Sequence, residues 1–82
     1  MVITLYSRTG CHLCEDAREI LEEACGRLRA KGSTVELEET DIDADIRLRR
    51  LYSDDVPVVV INGREAFRYF VHADKLWKIL NL

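Results

Sequence analysis

The sequence predicts a mixed α/β domain with a four-stranded mixed sheet flanked by helices, in the order β-α-β-α-β-β-α. Two short runs are almost continuously apolar and rich in β-branched residues, which is typical of strands buried on both faces. Two other segments alternate or mix apolar and charged residues, as edge strands do. Three further segments repeat apolar residues at spacings of three and four, which is typical of helices.

The first half of the chain predicts a strand, a long helix and a second strand. Residues 2–6 (VITLY) form an apolar run that ends at the turn signal SRTG. The helix that follows is expected to end near Lys31 and Gly32, a basic residue followed by a glycine cap. Residues 34–39 (TVELEE) alternate and predict a half-exposed edge strand. The predicted buried face of the helix consists of Leu13, Ala17, Ile20, Leu21, Ala24 and Leu28.

The second half predicts a short helix, a hairpin and a closing helix. Residues 41–52 (DIDADIRLRRLY) contain the short helix, with Asp43 as its expected N-cap. Residues 56–61 (VPVVVI) form the second apolar strand, and Asn62-Gly63 predicts a tight turn into an edge strand over residues 64–70. Residues 72–80 predict the closing helix, with Trp77 on its flank. The expected inward side chains are Leu48, Leu51 and Tyr52 on the short helix and Leu76, Ile79 and Leu80 on the closing one.

These elements predict one mixed four-stranded sheet. The first two strands, joined by a helix, should be parallel through a right-handed crossover. The last two strands form an antiparallel hairpin. The two apolar strands should lie in the middle of the sheet, and helices should cover both faces.

Size and charge limit the function classes. The chain has 82 residues, which predicts one domain over residues 1–82. The net charge of −3 and the lack of a basic stripe argue against nucleic acid and anionic membranes as partners. We expect no signal peptide and no membrane helix, and therefore a cytoplasmic protein, in a compartment where structural disulfides are rare. We also expect a monomer.

Two cysteines at C-x-x-C spacing carry the chemistry that the sequence predicts. Cys11 falls at the start of the first helix, where unpaired backbone N–H groups and the helix dipole favour a thiolate, the attacking form. Cys14 lies one turn further on, so the two sulfurs can close a small ring. We therefore expect Cys11 to be the nucleophile and Cys14 the resolving thiol. His12 is expected to add positive charge when protonated, and Arg8 to stabilise the thiolate or bind a substrate carboxylate.

Other interpretations of the cysteines are weaker. They can be small apolar residues in a packed core. A zinc site needs four converging ligands, and Cys11, Cys14 and His12 are too few, so we expect no metal. An iron–sulfur cluster bridging two chains stays conceivable. Cys25 lies too far along the same helix to pair with either cysteine, and we expect it to pack in or beside the core.

Three segments, YSRTGCHLCEDA, DID and VPVVVING, resemble the thioredoxin superfamily, and the short form of the chain resembles glutaredoxins and their glutaredoxin-like relatives. The resemblance implies a thioredoxin-like fold. It also implies a cis Pro57 beside the cysteines and a Val56 backbone that pairs with an extended peptide or with glutathione. The sequence departs from typical glutaredoxins in two places. His12-Leu13 replaces Pro-Tyr, and the glycine pair that helps to hold glutathione is missing before the last helix, where Asp74 is the acidic residue.

The leading hypothesis is a glutaredoxin-like thiol–disulfide oxidoreductase that needs no metal or nucleotide cofactor. Its expected substrate is a protein or low-molecular-weight disulfide, and the expected substrate-binding residues are Arg8, His12, Val56 and Pro57. Glutathione or a thioredoxin-type reductase would return the electrons. A thioredoxin-fold binding module with little redox turnover is the main alternative, and a metal or cluster carrier is the third.

Overall fold

The computed structural model describes residues 1–82. It confirms the predicted mixed α/β architecture, with four strands and three α-helices in the predicted order. The elements are β1 (Val2–Ser7), α1 (His12–Ala30), β2 (Glu36–Asp41), α2 (Ile46–Tyr52), β3 (Val58–Ile61), β4 (Arg64–Arg68) and α3 (Ala73–Leu80), with a 3-10 turn at Ile42–Ala44. None of the helices combines the length and apolar character needed to cross a bilayer.

The sheet has the strand order β2-β1-β3-β4, which places the two apolar strands at its centre. β1 and β2 are parallel, and β3 pairs with both β1 and β4 in antiparallel fashion, as predicted. The hairpin turns at Asn62 and Gly63, whose φ angles of 48° and 83° are those of the expected tight turn. Asn62 also ties the turn to the start of β1, because its Oδ1 accepts a hydrogen bond of 2.9 Å from the Val2 N–H.

Two apolar clusters pack on opposite faces of this sheet. Leu5 pairs with Val59 across the β1–β3 ladder, and their side chains join the larger cluster with α1 and α3. The next pair, Tyr6 with Val58, points to the other face because strand side chains alternate. There Tyr52 of α2 lies with its ring 4.8 Å from that of Tyr6. The smaller cluster also contains Cys14, so the second core lies beneath the cysteine pair.

Three apolar side chains that we expected to be buried are exposed. Leu13, Leu51 and Ile79 retain 43%, 64% and 54% of their accessible surface. Each precedes a buried residue, Cys14, Tyr52 or Leu80, by one position. One position on a helix is a rotation of about 100°, which turns these three side chains off the buried stripe.

The expected cap of α2 is also wrong. Asp45 caps α2 by accepting a 2.8 Å hydrogen bond from the Arg47 N–H, and Asp41 caps the 3-10 turn in the same way. The 3-10 turn moves the start of α2 past Asp43, whose carboxylate pairs with Arg8 instead.

Candidate active site

The cysteine pair lies where β1 turns into α1. Gly10 has a φ of +77°, a conformation open to glycine, and reverses the chain after the strand. Cys11 is the N-cap of α1, and its Sγ accepts a hydrogen bond of 3.1 Å from the Cys14 N–H. The two cysteines form a disulfide, with their Cα atoms 5.2 Å apart. Cys11 is partly exposed whereas Cys14 is only 1% exposed, so incoming groups reach Cys11 first.

Val56, the residue before Pro57, packs with the cysteines. Val56 belongs to the same apolar cluster as Cys14, and Cys11 packs against this cluster. The peptide bond between Val56 and Pro57 is cis. The backbone N–H and C=O of Val56 make no backbone hydrogen bond within the chain, whereas the Pro57 carbonyl accepts one of 2.8 Å from the Tyr69 N–H. Val56, which is 7% exposed, therefore has an N–H and a C=O without a backbone partner beside the cysteine pair.

Arg8 connects three segments of the site. Its Nε and Nη2 atoms each lie 3.0 Å from the Asp43 carboxylate, and its Nη1 lies 2.7 Å from Asp54 Oδ1. These bonds raise the pKa of Arg8, with Asp43 as the larger cause, and the guanidinium lowers the pKa of Asp43. A substrate carboxylate would have to compete with Asp43 and Asp54 for Arg8. The predicted substrate role of Arg8 stays a prediction.

His12 extends from the first turn of α1 with 93% of its side chain exposed. Its Nδ1 lies 3.6 Å from the Glu15 carboxylate, one turn along the helix, and the two attract when the imidazole is protonated. His12 is thus accessible to a bound partner. Its predicted influence on Cys11 stays a prediction.

A polar cleft of about 450 Å³ opens on the β2 side of Cys11, which the sequence did not predict. Ser7 lies at its floor and donates a hydrogen bond of 2.9 Å to Glu39 Oε2. Arg18 holds the same carboxylate through its Nε and Nη2 atoms at 2.5 and 2.6 Å. The Arg18 guanidinium is the main cause that lowers the pKa of Glu39, and the Ser7 hydroxyl adds to the effect.

A smaller, mainly apolar groove of about 280 Å³ lies between α1 and the loop after β4. β4 ends at Arg68, two residues earlier than predicted, because Tyr69 adopts a φ of +69° and leaves the strand. Asp55 accepts hydrogen bonds from the Tyr69 hydroxyl and, at 2.9 Å, from Arg68, and both lower its pKa. The groove is lined by Leu13, Asp16, Ala17, Ile20, Tyr69, Phe70 and Val71.

Cys25 is buried as a free cysteine in the larger cluster, as expected of a packing residue. No group of three or more His, Cys, Asp or Glu side chains is arranged to hold a metal ion.

The arrangement of strands and helices is that of a thioredoxin-like fold. The structure of mitochondrial thioredoxin 3 from Saccharomyces cerevisiae superposes with a TM-score of 0.64 at 14% identity, covering 98% of this chain and 76% of that one, and this likeness concerns the fold alone. A family model described as glutaredoxin-like domain (DUF836) matches residues 2–81. The chain therefore belongs to the glutaredoxin-like domain family, within the thioredoxin superfamily.

Similar proteins support this membership. The glutaredoxin-like protein YDR286C homolog of Dictyostelium discoideum is 31% identical over 77 residues, which are 92% of this chain and 70% of that protein. The structure of XcR50 from X. campestris is 32% identical with a TM-score of 0.73, covering 96% of this chain and 95% of that one. Protein Ne2328 of Nitrosomonas europaea is 37% identical with a TM-score of 0.71, covering 94% and 87%. The membership in this family and the adjacent pair of Cys11 and Cys14 together support a redox-type role.

Proposed function

We propose that this protein is a thiol–disulfide oxidoreductase that exchanges two thiols for a disulfide through Cys11 and Cys14. The observation that carries the proposal is the unequal exposure of two bonded cysteines at the start of α1. Cys11 caps the helix and is partly exposed to solvent, whereas Cys14, which is bonded to it, is buried. An accessible sulfur at a helix N-terminus favours a reactive thiolate, and a buried neighbour within bonding distance favours rapid resolution.

The exchange takes two steps in the reduced protein. The Cys11 thiolate attacks one sulfur of a substrate disulfide, forms a mixed disulfide with it, and releases the other sulfur as a thiolate that takes up a proton. Cys14 then loses its proton and attacks Cys11 Sγ. This second attack releases the remaining substrate thiol and leaves the Cys11–Cys14 disulfide seen here. Two electrons pass from the protein to the substrate.

The substrate would lie across Val56 and Pro57. The free N–H and C=O of Val56 suit an extended segment that adds two backbone hydrogen bonds next to the attacked sulfur. We propose that Arg8, in the loop before Cys11, and His12, in the first turn of α1, also contact the substrate. We propose a protein or low-molecular-weight disulfide as substrate, no bound cofactor, and a monomer acting in the reducing cytoplasm. Glutathione or a thioredoxin-type reductase would restore the dithiol.

Single cysteine variants test the proposal. The wild-type protein should reduce bis(2-hydroxyethyl) disulfide or insulin in the presence of a thiol reductant. Cys11→Ser should abolish this activity, because it removes the attacking sulfur. Cys14→Ser should accumulate a mixed disulfide on Cys11, visible as an added mass of the substrate thiol, because resolution is lost.

Cys25→Ser serves as the matched control, since the third cysteine is buried and takes no part in exchange. If the wild-type protein turns over no disulfide and Cys14→Ser traps no adduct, the proposal is wrong and a binding module becomes the better interpretation. Metal retained on the two cysteines after gentle purification would instead support a carrier function.

A further inference from the structure

We propose that the groove between α1 and the β4–α3 loop selects among polypeptide disulfides, an inference that rests on the exchange proposed above. The preferred substrate has an apolar residue next to its cysteine and a cationic residue next to that apolar residue. Its seven lining residues include one charged side chain, Asp16. Leu13, Tyr69 and Phe70 expose 43%, 49% and 54% of their surface around it. Large apolar side chains clustered in the open are unusual for a surface that binds nothing.

The groove adjoins both the segment between the two cysteines and the segment that contains Pro57. Leu13 lies between the two cysteines in sequence and forms one wall. Tyr69 forms the opposite wall, and its N–H donates to the Pro57 carbonyl at 2.8 Å. An extended chain that pairs with Val56 therefore passes close enough to place a neighbouring side chain in the groove.

Tyr69 keeps a costly backbone conformation to form this wall. A φ of +69° is uncommon for a non-glycine residue and disfavoured for a bulky one. Hydrogen bonds from its N–H to Pro57 and from its hydroxyl to Asp55 fix the residue at both ends. These two hydrogen bonds hold Tyr69 in the groove wall without a ligand, and a wall formed in advance reduces the entropy lost on binding.

Size and charge define the occupant. A volume of about 280 Å³ falls just below the ~300–1,000 Å³ of sites that enclose small molecules, and it suits one large side chain. Asp16 forms no ion pair within the chain, so its carboxylate is available to a lysine or arginine of the partner. Glutathione carries two carboxylates and one ammonium group. It would bring net negative charge toward Asp16 and has no large apolar side chain.

Peptide mixed disulfides provide the probe. Three peptides, Lys-Leu-Cys-Leu-Lys, Lys-Ser-Cys-Ser-Lys and Glu-Leu-Cys-Leu-Glu, are each joined through cysteine to thionitrobenzoate. The Cys11 thiolate attacks the peptide sulfur, the bond to thionitrobenzoate breaks, and the coloured thiolate leaves. The second-order rate constant of this release is measured with the reduced protein.

We expect the Lys-Leu peptide to react at least about tenfold faster than the Lys-Ser peptide, and faster than the Glu-Leu peptide. Leu13→Ser and Phe70→Ser should each bring the Leu/Ser rate ratio toward one, and Asp16→Lys should reverse the Lys/Glu preference. Ile79→Ser is the matched control, because Ile79 is as exposed as Phe70 but lies outside the groove, and it should keep both ratios.

Rate ratios near one in the wild-type protein would overturn the groove's role while leaving the exchange chemistry intact. The groove's role would also be overturned if Leu13→Ser and Phe70→Ser both kept the Leu/Ser rate ratio of the wild-type protein. A protein that releases thionitrobenzoate from none of the peptides would overturn the exchange itself, and the groove's role with it.

Discussion

Arg8 and Asp54 form an ion pair of 2.7 Å that joins the loop before Cys11 to the loop before Pro57. The two residues are 46 positions apart in sequence, and the same guanidinium also binds Asp43. The relative position of the attacking sulfur and the Val56 backbone therefore depends partly on the Arg8 side chain. Because the pairs are exposed, salt should weaken them.

Arg8→Ala and Asp54→Asn should both slow exchange with a peptide disulfide a few-fold, because each removes the link between the two loops. The double variant should be no slower than Arg8→Ala alone, since both changes remove the same interaction. A double-mutant cycle on the second-order rate constants measures this coupling. If Asp54→Asn behaves like the wild type while Arg8→Ala raises KM, Arg8 acts by direct substrate binding instead.

Glu39 should contribute to stability at neutral pH and not in acid. Arg18 lowers the pKa of Glu39 below its ordinary value of about 4.5, so the folded state favours the carboxylate. Such a group adds stability above its unfolded pKa and loses it as the pH falls through the lower folded pKa. The wild type should therefore resist urea better than Glu39→Gln at neutral pH, and the difference should disappear in acid.

Glu38→Gln is the control for this experiment, because Glu38 lies on the same strand and forms no ion pair. A difference between wild type and Glu39→Gln that grows in acid would contradict the assignment.

Cys25 should resist modification in the native protein. Its side chain is 1% exposed, and burial raises the pKa of its thiol. After reduction, iodoacetamide at neutral pH should label Cys11 while leaving Cys25 free, and Cys25 should react once denaturant is added. Peptide mapping by mass spectrometry distinguishes the two sites. Native labelling of Cys25 as fast as Cys11 would show that α1 opens readily or packs differently.

Leu76 and Ile79 test the packing of α3, since one is fully buried and the other is 54% exposed. Leu76→Ala should lower the free energy of unfolding by about 2–5 kcal/mol, because it leaves a cavity in the larger cluster. Ile79→Ala should change it by no more than about 0.5 kcal/mol. Chemical denaturation of both variants measures this difference. Equal losses in the free energy of unfolding would show that Ile79 packs inward, as the sequence predicts.

Strand order and the place of the cysteines follow from local patterns. The two continuous apolar runs required burial on both faces, and Asn62-Gly63 defined the hairpin. The exact helix faces were harder to predict. Leu13, Leu51 and Ile79 each sit one position from a buried residue, and the apolar pattern alone does not decide which of two neighbouring residues faces the core.

The surroundings of the cysteines depend on long-range register. Leu5 pairs with Glu39 in the β1–β2 ladder, and a slip of one residue would turn Glu39 away from Arg18 and Ser7. The 3-10 turn that brings Asp43 to Arg8, and the positive φ of Tyr69 that opens the groove, leave no periodic signal in the sequence. These features arise from tertiary packing.

The rate of Cys11 alkylation as a function of pH, followed by peptide mapping on the reduced protein, most directly tests whether the start of α1 activates this sulfur. We expect the rate to reach half its maximum well below pH ~8.5, the value for a free thiol, because backbone N–H groups and the helix dipole stabilise the thiolate. A midpoint at or above that value, with a maximal rate no faster than that of an unstructured cysteine peptide, would contradict an activated nucleophile.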